Sequence, residues 1–257
     1  MIDTHAHIYL KDFEEDLDLV IGRAQQQGIE QILMPNIDST TIESMLKVEN
    51  QYPEMCKSMI GLHPCSVKKD FERELYTVEE WINKQLFVAI GEIGTDLYWD
   101  KTLFEEQKEA FKIQCQLALT HHLPVAIHCR ESIDETIELV TPFAEQGLRG
   151  VFHCFTGSTE QAERVAHLGF LLGIGGVLTF KNSGLDSVIE KVHQRHLLLE
   201  TDSPYLAPAP FRGKRNEPVY LRQIVEKLTA VQGSSFRDVV EETTKNAREL
   251  FKLNVTA

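Results

Sequence analysis

The sequence predicts an α/β fold, a (β/α)8 TIM barrel with additional C-terminal helices, on three observations. Eight short apolar runs recur along the 257 residues, stretches of helical period separate them, and the first run ends in His5-Ala6-His7 rather than a Gly-rich turn. Runs of four to eight residues, apolar on both faces, are the pattern of buried parallel strands, and parallel strands need helical crossovers. A doubly wound sheet would use five or six strands and open on G-x-G-x-x-G.

Taken in order, Ile2–Ile8 is the first strand and Phe13–Gln27 the first helix. Gln31–Pro35 is followed by the helix Thr40–Gln51, Lys57–Leu62 by Thr77–Lys84, and Phe87–Ile93 by Phe104–His121. Pro124–Cys129 leads into Ser132–Glu145, and Gly150–Phe155 into Ser158–His167, where Ser158-x-x-Gln161 has the pattern of a capping box. Phe170–Gly175 and the helix Asp186–Val192 make the seventh unit. The eighth strand, His196–Thr201, precedes two more helices, Val219–Val231 and Phe236–Lys252. No repeat, linker or low-complexity segment interrupts the series, so residues 1–257 read as a single domain.

Composition narrows the function. With 26 Lys and Arg against 39 Asp and Glu the formal charge is −13, so the chain cannot coat nucleic acid through a general basic face. A phosphate-bearing substrate must be held by a metal or a local basic cluster. Five cysteines without a C-x-x-C suggest neither a disulfide framework nor a zinc ribbon. No run reaches the ~20 apolar residues of a membrane span, and the N-terminal residues lack signal-peptide character. The expectation is a reduced, cytoplasmic protein without a membrane partner.

In a barrel, chemistry sits at the C-terminal ends of the strands. Six of the eight predicted ends carry a His or a carboxylate: His5-Ala6-His7, His63, Glu92, His128, His153, and Glu200-Thr201-Asp202. One buried imidazole is ordinary. Five, with two carboxylates, would cost several kcal/mol each unless something pairs them, and a metal does so. His5 and His7, two apart on a strand, face the same way and suit one ion. His128 and His153, from neighbouring strands, suit a second. Glu92 offers two oxygens for a bridge, and Asp202 returns beside strand 1 as the barrel closes. Mixed imidazole and carboxylate donors favour zinc, manganese or nickel, and magnesium less. Two ions roughly 3.5–4 Å apart would support hydrolysis by a bridging hydroxide, with Asp202 as general base. There is no G-x-S-x-G elbow, and strand alternation turns Cys129 and Cys154 away from the pocket.

Residues 211–218, Phe-Arg-Gly-Lys-Arg-Asn-Glu-Pro, form the densest basic cluster. Arg212, Lys214 and Arg215 suit phosphate oxygens, although such a loop can also simply be solvated. His63, Tyr98, Arg130 and Lys181 are further candidates near the mouth. Tyr98 and Trp99 could stack on a base or wall the core.

These motifs occur in one order: Ile2-Asp3-Thr4-His5-Ala6-His7, Gly61-Leu62-His63-Pro64, Gly91-Glu92-Ile93-Gly94, residues 124–131, residues 151–158, residues 198–206 and residues 212–218. In that order they resemble the TatD family of metal-dependent deoxyribonucleases, from residue 2 to about residue 252. The resemblance implies a TIM barrel of the metallo-dependent hydrolase type. It assigns His5 and His7 to one ion, His128 and His153 to another, Glu92 to the bridge, and Asp202 to ligation and acid/base work. His63 and the loop from Arg212 through Arg215 and Asn216 match positions near the substrate phosphate. Where the family pattern runs Leu-Asp-Tyr after Gly94, this chain reads Thr95-Asp96-Leu97-Tyr98. The implied activity is a magnesium-dependent 3′-5′ exodeoxyribonuclease on single-stranded DNA, in DNA repair or fragmentation.

Two other readings stay open at this point. One is an ester or amide hydrolase, such as a D-aminoacyl-tRNA deacylase, although strand 4 ends in Glu92 and not the Lys of carbamylated relatives. The other is a metal-binding scaffold without turnover, which an open site argues against.

Overall fold

The computed structural model describes residues 1–253. Its strands are β1 (Ile2–Asp3), β2 (Gln31–Pro35), β3 (Cys56–Met59), β4 (Ile90–Asp96), β5 (Val125–Arg130), β6 (Gly150–Phe152), β7 (Leu171–Ile174) and β8 (Leu197–Leu199). All pair in parallel and in chain order, β1-β2-β3 in one ladder and β4 through β8 in another. Parallel bridges Ile60↔Ile90 and Ala6↔Ser203 join the two ladders at both seams, which gives the predicted α/β (β/α)8 arrangement. The helices are α1 (Leu17–Gln26), α2 (Ile42–Gln51), α3 (Glu72–Ile82), α4 (Phe104–His121), α5 (Ile133–Glu145), α6 (Thr159–His167), α7 (Leu185–Ile189), α8 (Leu221–Gln232) and α9 (Phe236–Phe251).

Two apolar layers follow from strand alternation. Ile2, Leu33, Met59, Ala89, Ala126, Val151 and Leu198 pack together with Ala247, Phe251 and Leu253 from the end of the chain. They fill the barrel interior over a floor supplied by α9. Their neighbours, among them Ile32, Met34, Val125, Ile127, Phe152, Leu197 and Leu199, face outward into a second cluster shared with the helices. Two residues beyond Ala126, Val151 and Leu198, the same alternation brings His128, His153 and Glu200 to the inside. The apolar plug therefore ends where a polar ring begins.

Element bounds differ from the sequence reading where the backbone leaves regular geometry. After Asp3 the first strand is no longer a ladder, yet Thr4 N donates to Leu199 O, Ala6 N to Leu33 O and His7 N to Ser203 O. The segment thus bonds to both neighbours in turn. Helix α3 begins at Glu72 rather than Thr77, because the polar turn Glu72-Arg73-Glu74 hides a start whose buried face is Phe71, Leu75, Val78 and Ile82. The Ser158/Gln161 capping box is present in both directions. Among the described residues no helix is long and apolar enough to cross a membrane.

Candidate metal centre

The polar ring at the strand ends converges on Glu92. In β4 the register against β5 shifts between Ile90 and Ile93, the kind of irregularity that re-aims a side chain. Glu92 points into the ring and is buried. Its two oxygens face different imidazoles. Oε2 lies 3.1 Å from His5 Nε2 and 3.5 Å from His7 Nε2. Oε1 lies 2.9 Å from His128 Nδ1, 3.4 Å from His63 Nε2 and 3.8 Å from His153 Nε2. Asp202 closes the ring from beyond β8, its Oδ1 lying 3.6 Å from His7, 3.8 Å from His5 and 3.9 Å from His153.

Outside the ring a second set of groups fixes the imidazoles. Asp96 Oδ2 lies 2.8 Å from His128 Nε2. Glu200 Oε1 lies 2.9 Å from His153 Nδ1 and accepts from Cys154 N at 2.6 Å. Tyr9 Oη meets His7 Nδ1 at 3.0 Å and donates to Pro35 O. Asp3 accepts from both Thr201 N and Thr201 Oγ1, tying β1 to the strand that carries Asp202. Carboxylates behind histidines set the ring orientation and raise the basicity of the inward nitrogen. The sequence reading missed Glu200, Asp96, Asp3 and Tyr9 in these roles, and their signals were slight. Glu200 stands two residues before Asp202, and Asp96 four after Glu92.

The electrostatics ask for positive charge. Among the described residues no Lys or Arg forms an ion pair with Glu92 or Asp202; every partner of either carboxylate is an imidazole. Burial penalises the Glu92 carboxylate, but His63, His5 and His153 outweigh it and hold the group well below its ordinary range. Burial also disfavours a proton on His153, yet Glu200, then Glu92 and Asp202, raise it to about 10. Asp202 is pushed up to about 6 by burial, against the pull of His153 and His7. His5 is driven well below its ordinary value by burial and by His153, whose ring stacks on it at 3.4 Å.

Such a donor set suits a divalent cation. Among the described residues four triads bring one donor atom from each residue within 4.8 Å of the others: His5/His7/Glu92, His5/His153/Asp202 and His63/Glu92/His128 in the ring, and His153/Cys154/Glu200 behind it. All six residues expected to hold metal are brought together here, and His63, expected to contact substrate, joins them. Cys154 departs from its expectation. The strand ends at Phe152, so alternation stops, and Cys154 adopts a left-handed φ of 45° with its Sγ beside His153 and Glu200. Burial holds its thiol well above the ordinary value.

Around the mouth the predicted contact residues separate into two groups. Tyr98 and Trp99 are 46% and 69% exposed, with Arg130 lying 3.6 Å over the Tyr98 ring, so they do not wall the core. Arg212 donates to Ala207 O and covers Phe180 at 3.6 Å, and Lys214 lies near Phe211. Among the described residues, none of Arg130, Lys181, Arg212 and Lys214 has a carboxylate partner. Arg215, by contrast, is engaged by Asp16 and Glu217, each at 2.8 Å, and by the Asp12 carbonyl. Asn216 is fully buried and donates to Thr201 O and Tyr205 O. Both therefore brace the loop that follows Asp202.

Comparison with known proteins agrees with this geometry. The family described as TatD related DNase matches residues 2–252. The uncharacterized metal-dependent hydrolase YabD of Bacillus subtilis is 36% identical over 99% of this chain and 100% of its own length. The 3′-5′ ssDNA/RNA exonuclease TatD of Pectobacterium parmentieri is 32% identical over 98% of this chain and 100% of its own. The crystal structure of YJJV, a TatD homolog from Escherichia coli, superposes with a TM-score of 0.93 at 30% identity, covering 99% of this chain and 98% of that one. The family match over residues 2–252, the full-length similarity and the shared fold lead to one conclusion: the chain belongs to the TatD-related DNase family of metal-dependent hydrolases.

Proposed function

We propose that the chain hydrolyses phosphodiester bonds of single-stranded DNA from the 3′ end, at a centre of two divalent ions. The observation that carries this reading is Glu92. One of its oxygens faces His5 and His7, and the other faces His63, His128 and His153, the arrangement a bridging carboxylate needs. His5 and His7 would hold one ion and His128 and His153 the other, with Asp202, which shares a triad with His5 and His153, completing the set. Four imidazoles favour zinc, manganese or nickel over magnesium. Divalent ions bound by these residues would supply Lewis acidity for an attacking water and positive charge for the phosphate.

The remaining work falls to the chain. Asp202 has no Lys or Arg partner among the described residues and keeps 13% of its side chain exposed. It takes the proton of the attacking water and passes it toward the leaving 3′ oxygen. His63 and His128, the more open imidazoles at 15% and 17% exposure, flank the entering phosphate. Arg130, Arg212 and Lys214, without carboxylate partners, neutralise the backbone on either side. Arg215 and Asn216 support that contact by holding the loop. The relatives named as 3′-5′ ssDNA/RNA exonucleases support the substrate class, and 3′ trimming fits the repair and fragmentation roles that the sequence resemblance implies.

The test uses protein stripped with chelator and restored separately with magnesium, manganese, nickel or zinc. Each form is incubated with a 5′-labelled single strand, and the products are resolved on a denaturing gel. A metal-dependent ladder shortening from the 3′ end, absent in Asp202→Asn and Glu92→Ala proteins that remain folded, is expected. An intact strand in every lane, with metal bound, would reject the nuclease reading and direct attention to D-aminoacyl-tRNA.

A further inference from the structure

Trp99 is 69% exposed and Tyr98 46% exposed, adjacent in the chain among the few large hydrophobic residues left open to solvent. The two rings meet edge to face at 4.9 Å. The Arg130 guanidinium lies 3.6 Å over Tyr98 and 5.5 Å from Trp99, and among the described residues no carboxylate occupies it. Two aromatic rings left in water at such cost, beside an unsatisfied cation, make a surface for something flat and anionic.

The surface is also built into the metal centre. Asp96 Oδ1 accepts from Tyr98 N at 2.8 Å and Trp99 N at 2.9 Å, while Oδ2 holds His128 Nε2 at 2.8 Å. One buried carboxylate thus fixes both the turn that carries the rings and an imidazole of the site. The loop is therefore anchored at its base while its rings face solvent.

Resting on the nuclease reading, we infer that Tyr98, Trp99 and Arg130 form a stacking platform for one unpaired nucleobase next to the scissile phosphate. The exposed Trp99 ring takes the base, and Arg130, braced on Tyr98, takes the adjoining phosphate. A base inside a duplex has both faces covered by its neighbours, and a terminal base must leave its partner to reach the platform, so the device favours single strands over duplexes. Its contribution is to binding, at the usual scale of aromatic–base stacking, about tenfold or more in affinity.

Trp99 is one of only two tryptophans, the other being Trp81 on α3, so it can report on itself. Metal-loaded protein carrying Trp81→Phe as the reporter change and Asp202→Asn to stop turnover is titrated with a short single strand, an abasic strand of equal length, and a duplex. The single strand is expected to quench Trp99 emission and to bind about tenfold tighter than the other two. Equal quenching by the abasic strand, or none by any, overturns the platform. In protein with Asp202 intact, Trp99→Ala is expected to raise KM about tenfold on the single strand, with a much smaller effect on the abasic one. An equal effect on both also counts against the platform. Base-dependent quenching, if the protein with Asp202 intact cleaves no oligonucleotide, supports the platform and sinks the nuclease reading instead.

Discussion

Replacing Gly173 by alanine isolates the group that holds His153. Gly173 lies in β7, facing the Glu200 carboxylate from across the β7–β8 ladder. An alanine methyl there would sit 2.2 Å from Glu200 Oε2 and 2.7 Å from Cδ, whereas ordinary contacts begin near 3.4 Å. The carboxylate must retreat by about 1 Å. It has no slack to do so, because Oε1 accepts from Cys154 N at 2.6 Å and lies 2.9 Å from His153 Nδ1. One of those contacts must lengthen, and His153 loses the partner that orients it. Overpacking of this kind costs roughly 1–3 kcal/mol, which lowers the melting temperature of a domain this size by about 2–12 °C. Loss of the group behind a metal-binding histidine weakens affinity by roughly 10–100-fold. Competition with a chromogenic zinc chelator measures the second effect and thermal unfolding the first. Because Gly173 acts through Glu200, the loss in Gly173→Ala/Glu200→Gln should barely exceed that in Glu200→Gln alone. A Gly173→Ala protein that melts early but binds zinc as tightly as the parent would refute the role given to Glu200.

Three further outcomes are expected. Asn216→Ala leaves the buried Thr201 carbonyl and the half-buried Tyr205 carbonyl without the donor they now share, and should destabilise the fold by about 1–3 kcal/mol in urea titrations. Phe111→Ala, at a fully buried position between α4 and the strands, should cost about 3–5 kcal/mol by the same measurement. The Arg215 hydrogen bonds hold Asp16 below its ordinary carboxylate value of 3.8. Its stabilisation is therefore complete above about pH 4 and is lost as pH falls through the lower, folded value. Asp16→Asn should flatten that part of the acid-unfolding curve while leaving the curve above about pH 5 parallel to that of the parent.

Much of this architecture could be read from residue order, and the reasons for the rest are physical. Helix α4 agrees with the sequence reading from Phe104 to His121, because length and period both mark it. The first strand does not, because Thr4 bonds to β8, Ala6 to β2 and His7 to Ser203 beyond β8, and no regular ladder forms. His5, His7, His128 and His153 were visible as polar residues at the ends of apolar runs. Glu200 and Asp96 were equally visible as acids, but what distinguishes them from Asp202 and Glu92 is which nitrogen each one meets. That is fixed by strand register, which no local pattern encodes. Arg215 illustrates the same limit: its partner Asp16 lies 199 positions away, so a basic loop that looked free is partly spoken for.

The parallel bridge between Ala6 and Ser203 has a consequence for how the site comes into being. Asp202 N donates to His5 O and His7 N to Ser203 O, so the donors at residues 5, 7 and 202 sit on the seam where the earliest strand meets the last. A growing chain has two of them almost at once and the last only after eight strands have been made. The candidate cation centre is therefore placed as a closure clasp. Ions bound there would hold the two ends of the barrel together, stabilising the complete ring over any open one the more tightly they bind, and a chain halted before β8 would have nothing to fasten.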